Sequence, residues 1–131
     1  MKLSSKLRSV ETNGLMFFCP GCRENHVVWV GPRPNTDGSG SVWDYNGDPV
    51  HPTFSPSVKV TGVVLTAEGE REREEWIRQG FPKRSTPFDS RPQVCHFFVR
   101  NGQMQFLNDC THALAGITVN MPDFPGSEDE D

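Results

Sequence analysis

The sequence predicts a mainly β domain of the α+β class: a compact antiparallel sheet with one helix. Three observations predict it. Hydrophobic residues make up only 34% of 131 positions, while twelve glycines and eleven prolines punctuate the chain, a composition of short strands and many loops. The apolar runs are four to eight residues long and end at turn dipeptides such as Asn46-Gly47 and Asn101-Gly102. Only one stretch, "EGEREREEWIRQ", has helical character.

Residues 1–14 read as a polar leader ending at Asn13-Gly14. Leu15–Phe18 and Val27–Val30 read as strands, with Cys19-Pro20-Gly21-Cys22 between them. "PRPNTDGSGS", Pro32 to Ser41, is a loop by composition. Val42–Tyr45 is a short strand before the Asn46-Gly47 turn. In "HPTFSPSVKVTGVVL" the prolines at 52 and 56 restrict the first half to an edge or an irregular extended piece, while Val58–Leu65 reads as a strand with Gly62 as a candidate bulge. Glu68–Gln79 is the helix, anchored by Trp76 and Ile77 and stopped by Gly80. A hairpin turns at Asn101-Gly102. Ala113–Gly116 reads as one helical turn and Ile117–Met121 as a last strand. The domain thus spans 15–121, and the acidic end, 122–131, is expected to be disordered.

The formal charge of −4 argues against a general nucleic-acid binder. No apolar run approaches a membrane span, and the N-terminus lacks a signal-peptide apolar region, so the expected location is cytoplasmic. In a reducing compartment the four cysteines read as metal ligands, buried thiols or a nucleophile.

The stretch "QVCHFFVRNGQMQFLNDCTH" places Cys95, His96, Asp109, Cys110 and His112 around one hairpin. With Asn101 and Gly102 at the centre of a type I′ turn, Arg100 faces Gln103 and paired residues sum to 203. Alternation then gives Cys95 and Cys110 one face and His96 and Asp109 the other. One hairpin could serve two sites, back to back.

The first site is a zinc knuckle. Cys-Pro-Gly-Cys between two strands lets two thiolates converge, and a closed structural zinc needs four ligands. Cys19 and Cys22 with Cys95 and Cys110 are the most economical set, with His26 and His112 as competitors. Zinc would also help so few apolar residues to hold a fold.

The second site is a serine nucleophile. Serine needs a base to take its proton and a carboxylate to orient that base. His96 backed by Asp109 supplies both, and "PTFSPS" supplies the serine. Ser57 is preferred over Ser55, because Val58 offers a backbone N–H for an oxyanion hole where Pro56 offers none. A metallohydrolase using His96, His112 and Asp109 is the alternative chemistry, and His51 stands near in sequence.

The ordered set "CPGC…H", "W-x-x-NG", "HPTFSPSV" and "CHFFVRNGQMQFLNDCTHALAG" followed by "P" resembles a family of small proteins. Its members are carried by phages and by bacterial ubiquitin-like conjugation (Bub) operons, whose peptidase component is BubE. The resemblance runs from about Phe17 to Pro122 and is most specific at Pro52–Ser57 and Cys95–Gly116. It implies a serine-type peptidase acting at the C-terminus of a ubiquitin-like protein, maturing it or removing it from targets, in a bacterial cell or of phage origin. The family's serines map to Ser55 and Ser57, its "CHFF" histidine to His96, and its "DxTH" pair to Asp109 and His112. Members with serine at the position of Cys110 favour His26 or His112 as the remaining zinc ligand. The "ammonia monooxygenase" label borne by some phage members finds no support in these residues. Two other readings stay open: a non-catalytic zinc-binding interaction module, and a metal-dependent hydrolase.

Overall fold

A computed structural model describes residues 1–34, 36–38 and 40–125. The predicted class holds: among the described residues strand far outweighs helix, of which there is one. The strands form two antiparallel sheets rather than one. The first sheet contains β1 (Arg8–Val10), β2 (Gly14–Cys19) and β3 (Glu24–Trp29) in that order. The second contains β4 (Asp44–Tyr45), β5 (Phe54–Leu65), β6 (Ser90–Arg100), β7 (Gln103–Phe106) and β8 (Thr118–Asn120), also in chain order. Helix α1 (Ala67–Arg78) interrupts the long β5–β6 hairpin.

Period-two alternation sets the inner faces. Leu15, Phe17 and Cys19 of β2 and His26 and Val28 of β3 point inward. They meet Phe54 and Val58 of β5, Cys95, Phe97 and Val99 of β6, and Met104 and Phe106 of β7, all buried. Phe17 is the hinge of this core: its ring lies 5.8 Å from that of Phe54 and 6.0 Å from that of Phe97, edge-on to the latter. Aromatic contacts of this kind add to area burial.

Residues 1–14, polar by composition, carry the first strand. β1 pairs with β2, and Leu7 is fully buried. The start of the predicted tail is also fastened. The Phe124 ring is buried under the Arg8 guanidinium at 4.5 Å, and the Phe124 N–H donates to the Ser5 carbonyl at 3.0 Å. The disorder expected of the tail otherwise concerns residues 126–131, outside the described residues.

The helix stands where the sequence predicts it. Thr66 caps it by accepting from the Gly69 N–H at 3.1 Å. Trp76 anchors it, edge-on to Phe81 and Phe88 and donating from Nε1 to the Pro82 carbonyl at 2.7 Å. Ile77 does not: it is 41% exposed, because α1 rests on its own following loop rather than on the sheet core.

Two features of the second sheet position the site. The Asn101-Gly102 turn has positive φ at both residues (50° and 76°), and β6 and β7 pair from Arg100↔Gln103 to Phe97↔Phe106, the predicted register. On the other side of β6 the register jumps. Phe54 faces Val99 but Val58 faces Phe97, so Ser55, Pro56 and Ser57 together stand opposite Phe98. This is a bulge, a device that re-aims side chains.

Candidate active site and cysteine cluster

The bulge swings Ser57 towards His96. Ser57 Oγ and His96 Nε2 are 3.1 Å apart. On the far side of the ring, His96 Nδ1 lies 3.0 Å from Asp109 Oδ2. Hydroxyl, imidazole and carboxylate thus stand in one line, the arrangement that lets a serine lose its proton to a histidine held in one tautomer. The hydrogen bond from His96 holds the Asp109 carboxyl below its ordinary range, and the nearby charge of Lys59 acts in the same direction. His96 is 23% exposed and Asp109 48%, so the ring is shielded while the carboxylate is half in water.

Ser55 is exposed and forms no side-chain hydrogen bond among the described residues. His51 stands apart at the Asn46-Gly47 turn, 3.7 Å from Asp48. The oxyanion donor expected from Val58 is turned the wrong way. Trp43 Nε1 donates to the Ser57 carbonyl at 3.2 Å, and a planar trans peptide points the next N–H in the opposite direction, into β6. Trp43 entered the sequence reading only as part of "W-x-x-NG". A lone tryptophan just ahead of a two-residue strand was the signal available.

The cysteines gather on the other face. Potential ligand atoms of Cys19, Cys22, Cys95 and His112 all lie within 4.8 Å of one another. Cys19 Sγ is 3.8 Å from Cys95 Sγ, and Cys95 Sγ is 3.3 Å from His112 Nε2. The knuckle turn closes through the Cys22 N–H to Cys19 Sγ at 3.5 Å and the Arg23 N–H to the Cys19 carbonyl at 2.8 Å. Gln93 Nε2 donates to Cys22 Sγ at 3.2 Å. The imidazole of His112 lies directly over Gly21, where a Cβ would strike the ring.

One thiol of this group is already biased towards the anion. The hydrogen bond from Cys95, helped by the neighbouring His26 imidazole, outweighs burial and brings Cys19 down to about 4. Burial first, then the neighbouring Cys19 charge, raises Cys22 to about 11, and the same shared proton pushes Cys95 up. His112 Nδ1 accepts from the Leu114 N–H at 3.2 Å, so Nε2 carries the proton and donates towards Cys95. An ion held at Nε2 would send that proton to Nδ1 and part the Leu114 contact.

Cys110 does not join the group. The predicted face assumed that β7 continues past Phe106, but the chain turns there: the Cys110 N–H donates to the Leu107 carbonyl at 3.2 Å. Its thiol accepts from the His96 N–H and donates to the His96 carbonyl, both at 3.2 Å. It thereby stands in for a strand neighbour where β7 has ended. His26 is buried, stacked on Phe97 at 6.0 Å, and its Nε2 has no partner among the described residues. It also lies within ligand distance of Cys22 and Glu24. The alternative trio His96, His112 and Asp109 is not brought together: among the described residues it forms no group with ligand spacing, since His112 lies with the thiols.

β6 therefore separates two assemblies by single-residue alternation, Cys95 on the inner face and His96 on the outer. The loop after β7 returns to both, with Asp109 to one and His112 to the other.

No helix among the described residues is long and apolar enough to cross a membrane. No curated protein and no solved structure matches the chain significantly. A family model described as "Bacterial ubiquitination-like system serine protease (BubE)" matches residues 2–107, which include Ser57 and His96. With most of its length matched and a serine, a histidine and an aspartate in line on one sheet face, the chain belongs to the BubE family of serine proteases of bacterial ubiquitination-like systems.

Proposed function

We propose that this chain is a zinc-stabilised serine peptidase that cuts at the C-terminus of a ubiquitin-like protein, either trimming a precursor or releasing the modifier from a target. The observation that carries the reading is the Ser57–His96–Asp109 line at 3.1 and 3.0 Å. Ser57 Oγ attacks the scissile carbonyl while its proton passes to His96 Nε2. Asp109 accepts from Nδ1–H and stabilises the imidazolium. The C–N bond then breaks and His96 returns the proton to the leaving amine. Water enters, loses a proton to His96, attacks the acyl carbon and frees Ser57. The bulge at 55–57 supports Ser57 over Ser55, since only Ser57 reaches a histidine.

Three thiols and one imidazole form the closed donor set that suits structural zinc. Cys19, Cys22, Cys95 and His112 would hold it, and its contribution would be to cross-link β2, β6 and the loop after β7.

The test is intact mass and peptide mapping after exposure to a fluorophosphonate. The expected result is one adduct on Ser57 that disappears in His96→Ala, together with cleavage of a C-terminally extended ubiquitin-like protein that Ser57→Ala abolishes. An adduct on Ser55 alone would overturn the assignment. Absence of any adduct and any cleavage in folded, zinc-loaded protein would favour a non-catalytic zinc-binding interaction module.

A further inference from the structure

The outer edge of β5 beyond Ser57 is open. β5 pairs with β6 from Val58 to Leu65, but with β4 only at Asp44↔Ser55 and Tyr45↔Phe54. The phase of the main chain can be read from its neighbours. The His96 carbonyl receives the Leu107 N–H and the Val94 carbonyl receives the Thr111 N–H, both at 2.9 Å. Even-numbered residues of β6 thus turn their polar groups towards β7, and odd-numbered ones towards β5. Given the register Val58↔Phe97, Val60↔Cys95 and Gly62↔Gln93, it is Lys59, Thr61 and Val63 that turn N–H and C=O outward. None of these groups takes a hydrogen bond among the described residues. The preceding outward carbonyl, that of Ser57, is held by Trp43.

Bare edges are ordinarily blunted by prolines, charges, short length or a cover. Here the only charge is Lys59, Val63 is 72% exposed, and Gly62 has open space above it. Beside this edge lies a cavity of about 150 Å³, lined by Cys22, Glu24, Val60, Gly62, Val64 and Gln93.

We propose that the edge from Lys59 to Val63 is the substrate cradle, where an extended C-terminal segment of the polypeptide substrate adds as a further strand and so brings its scissile bond to Ser57. The inference rests on the reading of Ser57 as nucleophile. What argues for this occupant is continuity: the unpaired edge runs directly out of the residue that faces His96. Recognition by strand addition draws its affinity from main-chain hydrogen bonds and its selectivity from alternate side-chain pockets. It demands a flexible, extended segment rather than a folded surface. The cavity takes one small side chain of that segment, and Glu24 at its rim disfavours an acidic one.

The test compares a plain alkyl fluorophosphonate with a tetra-alanyl peptide carrying a diphenyl phosphonate, each against a truncated version of the same warhead. Thr61→Pro and Val63→Pro each remove one outward N–H and leave the ladder to β6 intact, since edge strands accept proline on the solvent side. The wild type is expected to react with the peptide probe roughly ten-fold or more faster than with its truncated version. That advantage should fall to near unity in Thr61→Pro, while labelling by the plain fluorophosphonate stays within about two-fold. N-methylation of the probe at alternate residues, which leaves the protein untouched, should remove the advantage at alternate positions only. An undiminished advantage in both proline variants, or none in the wild type, would overturn the proposal. A stable wild-type dimer that Thr61→Pro dissociates would assign the edge to a second copy and also overturn it. Failure of the plain probe to label the wild type would instead overturn the nucleophile itself.

Discussion

Replacing Gly21 by alanine is expected to disable the proposed zinc site without substituting any of its proposed ligands. A Cβ there would sit 2.7 Å from His112 Nδ1 and closer still to Cε1 and Nε2. Ordinary contact begins near 3.4 Å, so the ring must retreat by about 1 Å. Metal–ligand distances hold to about 0.2 Å, so His112, the proposed fourth ligand, would be moved out of reach of an ion held by the three thiols. Outer-shell changes around metal ligands cost 10–100-fold in affinity, and this one displaces a ligand, so a rise of about 100-fold in the zinc Kd is expected. At fixed free zinc that is about 2.7 kcal/mol less stabilisation from the metal. Gly21 has no positive φ, so backbone strain does not contribute. Titration against a chromophoric chelator reads the affinity, and thermal melts with and without zinc read the linkage. Gly62→Ala, which meets nothing within 4 Å, is the control. A Gly21→Ala protein that binds zinc within about three-fold of wild type would refute the geometry on which this reasoning stands.

Asp109→Asn should lower kcat, because an amide can present its NH2 to Nδ1 and select the wrong tautomer of His96. Half-exposure lets water take over part of the role, so a loss of about 100- to 1,000-fold is expected, short of the roughly 10⁴-fold of a buried triad; single-turnover hydrolysis measures it. The Asp109 carboxyl is depressed in the folded chain, so its stabilising contribution is present above the ordinary value of 3.8 and lost as pH falls below it. Urea denaturation of wild type and Asp109→Asn should accordingly show a gap that is constant near neutrality and closes only in strongly acid buffer; a gap closing near pH 6 would contradict this. Cys110→Ser should keep activity and zinc, since a hydroxyl can serve both His96 backbone groups, whereas Cys110→Ala strands the part-buried His96 N–H, while the His96 carbonyl keeps the Leu107 N–H, and should cost about 1 kcal/mol in denaturant titration. Zinc content below that of wild type in Cys110→Ser would return Cys110 to the ligand set.

Much of this arrangement was legible in the residues, for identifiable reasons. Asn101-Gly102 dictates a two-residue turn, and a two-residue turn dictates register, so the opposition of Phe97 with Phe106 and the sidedness of Cys95 and His96 followed from counting. Asp109 was reached although β7 stops at Phe106, because the returning loop keeps close to β6. Cys110 was misplaced for the same reason: counting assumes a strand, and Asn108-Asp109 turns the chain instead. Leu7 shows a different limit. Leu3, Leu7 and Val10 stand among Lys, Ser and Arg at a helical rather than a strand spacing, and only the packing against β2 reveals that Leu7 is core. The bulge at Ser55–Ser57 and the grip of Trp43 on the Ser57 carbonyl depend on contacts between distant segments, which local patterns do not encode.

The adjacency of Cys95 and His96 bears on how this protein can change its length. The two residues serve opposite sides of one strand, so inserting or deleting a single residue between Gln93 and Val99 would exchange thiol and imidazole and ruin both assemblies at once. Growth and shrinkage are thereby channelled to the far end of the β5–β6 excursion, where α1 and residues 81–89 touch neither assembly. Natural length variation, and any engineered fusion, is expected to concentrate there.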